Sequence, residues 1–120
     1  MTKLMISFGL NIQPVAHSMI EETVGENVQV ICIPAPTTNH NRLVDHVQEW
    51  VIDAEKAARG RRIDLIWLPD LGAISALILP GLARQLGEDE PDLPHVVVLR
   101  RGECALELHE IIPGAMFRTW

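Results

Sequence analysis

Between residues 37 and 42 the chain reads Thr-Thr-Asn-His-Asn-Arg, the most polar run in the sequence. It gathers a pair of hydroxyls, two asparagines, a histidine and an arginine at what reads as the start of a helix. Arg42, together with the backbone N–H groups of a helix N-terminus, is a combination that holds phosphate. Thr37 and Asn39 supply hydrogen-bonding companions. His40 is the group in this run that can take or give a proton near neutral pH. The same six residues also suit a plain solvated capping loop, and both readings stand.

Two further runs and one arginine pair offer related chemistry. Ser7-Phe8-Gly9-Leu10-Asn11 closes an apolar stretch. Gly9 lets a ligand approach the backbone, and Asn11 can bond a base edge or a ribose, or simply cap a helix. Pro69-Asp70-Leu71-Gly72-Ala73, with Ser75 just beyond, joins a buried strand to a helix. Gly72 can take positive φ, Asp70 can cap, and the N–H groups that follow favour an anion. A tight strand-to-helix turn needs the same residues. Arg100 and Arg101 follow a buried run, so alternation turns one of them toward a ligand or partner face. The other reading pairs an arginine with Glu103 or Glu107.

Other chemistries lack their signatures. There is no dinucleotide fingerprint and no P-loop, and serine, histidine and acid fall into no nucleophile-elbow pattern. No cysteine or histidine spacing suits a metal, so neither metal nor cofactor is expected. Cys32 and Cys104 read as two buried free thiols. His17, His46, His95 and His109 read as surface or core-edge residues.

These residues need elements to position them. Residues 3–10 read as a first strand, and 11–25 as a helix with Asn11 as a candidate cap, Pro14 in its first turn and Gly25 as its stop. Val15, Met19, Ile20 and Val24 make its apolar stripe. Residues 27–36 read as a second strand closed by prolines. A long helix follows over 37–60, with Leu43, Val44, Val47, Trp50, Val51 and Ala54 as its stripe and Gly60 as its stop. Residues 62–69 read as a strand covered on both faces. A third helix over 73–87 is kinked at Pro80. After an acidic loop, residues 95–112 read as a hairpin turning at Arg101-Gly102-Glu103, and an apolar tail ends the chain. The order β-α-β-α-β-α-β-β implies an α/β fold, Rossmann-like. It has a mostly parallel sheet, helices on both faces and a C-terminal β-hairpin. Ligands of such sheets bind outside the C-terminal ends of the strands, where all the runs above fall.

At 120 residues the chain reads as one domain, residues 1–120. Its formal net charge is -6, which repels a long polyanion and argues against duplex nucleic acid while leaving a small anionic ligand open. With three Trp, two Phe and no Tyr, it lacks the stacking platforms of single-strand binders. No leader and no membrane-spanning run is legible, so a soluble, cytoplasmic protein is expected.

Several stretches together resemble a known family. They are "LMISFGL" at the start, "LIWLPDLGAISALIL", then "LPHVVVLRR" and a final "LELHEII". The chain is similar to the small CRISPR-associated ancillary proteins of type III systems, in particular the family numbered fifteen among the Csx proteins. Those relatives usually carry Ser-His-Pro after the first strand, where this chain has Ser7-Phe8-Gly9. They tend to carry Asn-Pro-Pro-Gly before the third helix, where this chain has Pro69-Asp70-Leu71-Gly72. The resemblance implies a Rossmann-like fold of the CARF kind and a homodimer. It also implies a cyclic oligoadenylate ligand, above all cyclic tetra-adenylate, the second messenger of type III antiviral defence. By position, Ser7, Phe8, Gly9, Leu10 and Asn11 would hold it with Asp70, Leu71, Gly72, Ala73 and Ser75. Thr37, Asn39, Arg42 and Arg100 join them on the chemistry given above. Three activities follow: capture of the messenger, which lowers its free level; metal-independent ring cleavage, with His40 or Asn11 assisting; or a protein-interaction module without a nucleotide.

Overall fold

Four strands run parallel because each is reached through a crossover, and a fifth runs back because only a short turn precedes it. The computed structural model describes residues 2–9, 11–68, 77, 78, 80, 82 and 93–114. In chain order the elements are β1 (Thr2–Phe8), α1 (Pro14–Val24), β2 (Asn27–Ile33), α2 (Leu43–Ala58), β3 (Leu65–Trp67), β4 (His95–Arg101) and β5 (Leu106–Ile112). Residues 77, 78, 80 and 82 are helical. The rest of the predicted third helix and the bend expected at Pro80 lie outside the described residues. So do Leu10, the turn from Pro69 to Ser75 and the end of the tail.

The sheet order is β2-β1-β3-β4-β5, and the sheet is mixed: parallel as far as β4, antiparallel at β5. From β1 the chain moves outward to β2, then crosses back over β1 to β3. Strand order therefore reverses between β1 and β3. Right-handed crossovers taken in opposite directions put their helices on opposite faces, and the packing agrees. Leu4, Ile6 and Phe8 point to a cluster with Val47, Trp50, Val51 and Ala54 of α2, joined by Ile78 and Leu82. Met5, Val28, Leu65 and Val97 point to the other face, where Ile20 of α1 covers them. The central strand is apolar throughout because both of its faces are covered.

Several expectations are corrected. The segment 37–42 is loop, and α2 starts only at Leu43. Pro34 and Pro36 end the strand ladder, and Thr and Asn side chains compete with the backbone bonds of a helix interior. Asn11 does not cap α1. The cap position is Gln13, with extended backbone and no side-chain bond, and Pro14 follows at the first helical position. The stripes lose their first members: Val15, Leu43 and Val44 are 53%, 43% and 40% exposed. The buried side of α1 begins at the next residue, Ala16, and that of α2 a turn later, at Val47. The cysteines are free but not buried. Cys32 is half-covered because β2 is an edge strand, and Cys104 is exposed in the hairpin turn.

Candidate functional site

The parallel strands bring the C-terminal ends of β1, β2, β3 and β4 to one edge of the sheet, and one carbonyl there ties three segments together. Ile33, the last residue of β2, accepts from the backbone N–H of Gly9 at 3.0 Å. The same oxygen accepts from Nε1 of Trp50 at 2.8 Å. The turn after β1, the end of β2 and the body of α2 therefore meet at a single atom. Gly9 has φ +102, and a Cβ there would lie 3.5 Å from the Trp50 ring. Only glycine takes that backbone angle without strain.

Trp50 is also the middle of a chain of rings. It meets Phe8 edge-on at 5.6 Å between centroids and His46 at 6.1 Å. His46 meets His40 at 6.2 Å. Edge-to-face packing of this kind holds ring orientation as well as burying area. The ladder runs from the core end of β1 out to the polar loop, so the loop is anchored to the sheet.

That loop walls a pocket of about 530 Å³, lined by Thr37, Thr38, Asn39, His40, Arg42, Leu43 and His46. The volume falls in the usual range for small-molecule sites. Arg42 is the residue at the helix cap, with extended backbone, and no side chain caps the helix. The pocket thus has one permanent cation and the N-terminal turn of a long helix, which also carries Asp45. His40 is half-buried. Its Nε2 is fully buried, lacks a hydrogen-bond partner, and stands 3.4 Å from Oε1 of Glu49.

Glu49 is the residue that sequence reasoning missed. A signal was present: Arg42, His46 and Glu49 recur at helical spacing and share one face. The loop residue His40 folds back onto that face.

The other candidates are placed as follows. Ser7 and Phe8 are fully buried, so neither side chain reaches the pocket. Asn11 is exposed in the turn after β1, one residue beyond the unassigned Leu10. Arg100 is exposed on β4, where its register partner on β5 is Glu107. The sheet separates it from β1 by β3, so the structure does not bring it to the pocket. Asp70, Leu71, Gly72, Ala73 and Ser75 lie outside the described residues. Glu55 lies further along α2, away from the pocket, and burial pushes its carboxyl up from the ordinary value. Among the described residues, no group of three or more His, Cys, Asp and Glu side chains could hold a metal ion, and no helix is long and apolar enough to cross a membrane.

No protein-family model, no curated protein and no solved structure matches the chain.

Proposed function

We propose that this protein binds a small anionic nucleotide at the C-terminal edge of its sheet, and that the ligand is a cyclic oligoadenylate, foremost cyclic tetra-adenylate. Holding the ring lowers its free level, so the protein acts as a buffer of the messenger. The observation that carries this reading is the polar pocket at the start of α2, which sets Arg42 and an uncapped helix N-terminus beside Thr37, Thr38 and Asn39. Phosphate is the group such a site suits best. An acidic protein with so local a site favours a compact anion over a polymer.

The pocket fits part of a ring rather than all of it. A second copy related by a two-fold axis would present the same pocket to the other half of a two-fold ligand. A homodimer is therefore part of the proposal. The competing reading is metal-independent cleavage. There the ribose 2′-OH attacks the adjacent phosphorus and the bond from phosphorus to the 5′-oxygen breaks; His40, with Glu49 beside it, takes the 2′-OH proton, and water protonates the departing 5′-oxygen.

One incubation tests both. Labelled cyclic tetra-adenylate is mixed with the protein, and the bound fraction is recovered and resolved. Retained, intact ring supports capture. Linear products carrying 2′,3′-cyclic phosphate ends support cleavage. Failure to retain the ring at micromolar protein removes the nucleotide reading.

A further inference from the structure

The nucleotide reading uses Arg42 as the pocket's cation, yet the most unusual polar atom at the site belongs to His40. Its Nε2 is buried and has no hydrogen-bond partner, and the nearest charged group is the Glu49 carboxylate at 3.4 Å. Nε2 is the ring nitrogen on the carboxylate side, which leaves Nδ1 for the pocket that His40 lines. A neutral imidazole has one N–H, and a carboxylate oxygen and a phosphodiester oxygen are both acceptors. Only the imidazolium offers a hydrogen to each.

We infer that His40, held in place by Glu49, is the pocket's second cation and takes up a proton when a phosphodiester binds. This rests on the nucleotide reading and adds to it a residue pair and a pH dependence. Glu49 is a positioning residue: its carboxylate stands 3.4 Å from Nε2 of His40, and it does not line the pocket. The other titratable groups that line the pocket with His40 are His46, whose ring meets it edge-on, and Arg42; Asp45 lies in the first turn of α2, outside the pocket lining. The ligand's own phosphate adds a further negative charge on binding, which is why uptake accompanies association rather than preceding it. Phosphodiesters keep their charge across this range, so the pH dependence belongs to the protein.

The test measures the affinity of wild type for cyclic tetra-adenylate between about pH 5 and 8.5, spanning the range in which histidines titrate. Proton uptake is read by calorimetry in buffers of different ionisation enthalpy. The expected result is tightest binding at the acid end, weakening by up to about tenfold per pH unit as the ring loses its proton. A fraction of a proton, rising toward one per site, is taken up at neutral pH. Glu49→Gln keeps size and packing but removes the charge. It should move the whole profile toward acid and weaken binding at neutral pH by roughly tenfold. His40→Gln should flatten the profile at the weak-binding level, with the melting temperature held as the control for folding. Affinity of the wild type that does not vary with pH overturns this inference and leaves the nucleotide reading standing. A slope that survives in His40→Gln also overturns it. Absence of binding at every pH overturns both.

Discussion

At the scale of single residues, the proposed site departs from a rule of local stability. A helix start is best served by Ser, Thr, Asp or Asn, and α2 instead has Arg42 there, with no side-chain cap. Arg42→Asp should therefore stabilise the fold by about 0.5–1 kcal/mol, read by denaturant titration. It should also abolish nucleotide retention, because it replaces the pocket's permanent cation by an anion. Unchanged retention would remove Arg42 from the site. Gly9 has the opposite character, a residue whose backbone the fold requires. Its φ of +102 and its contact with the Trp50 ring mean that Gly9→Ala should cost about 1–3 kcal/mol, seen as a lower unfolding midpoint. A neutral outcome would show that the turn after β1 yields easily and does not anchor the edge. Gly9 was legible as a turn glycine from sequence. Its bond to Ile33 was not, because the partner lies on a strand that only the crossover brings alongside.

At the scale of elements, the two edges of the sheet do different work. The functional edge carries loops; the opposite edge is fastened by Asp64, just before β3. Its carboxylate accepts from the backbone N–H of Leu4 at 2.9 Å, its own N–H donates to the Leu4 carbonyl, and its carbonyl accepts from His95. One residue thus fixes the register of β1, β3 and β4. Asp64→Ala leaves the Leu4 amide without its partner and should lower stability by about 1–3 kcal/mol, while cyclic tetra-adenylate affinity stays the same. A loss of affinity in a protein that remains folded would mean that the edges are coupled. The strand and helix order was readable from apolar runs and their punctuation, because periodicity reports which faces are covered. The boundaries were less readable. Residues 37–42 resemble a helix start in composition, and to the local competition of their Thr and Asn side chains is added a tertiary contact: His40 turns back onto α2 toward Glu49, and the ring ladder holds it there. A side-chain contact between a loop and the second turn of the following helix leaves no mark in periodicity.

At the scale of the whole molecule, the exposed large apolar side chains among the described residues, Val15, Leu43 and Val44, all stand in first helical turns. Both helices start at the edge that carries the pocket, because each follows a parallel strand. Leu43 lines the pocket and Val44 is its neighbour in sequence, and exposed apolar groups at a polar site suit a surface that a second copy covers. A two-fold ligand would bind across that surface, with Arg42 and His40 of each chain on its own half of the ring. The account therefore predicts a solution mass near twice the 13.4 kDa of the chain when the ring is bound. The most direct measurement is light scattering combined with equilibrium binding of cyclic tetra-adenylate at micromolar protein. The account predicts saturation at one intact ring per two chains, in a particle of dimer mass. A monomer that retains no ring at saturating ligand would contradict it.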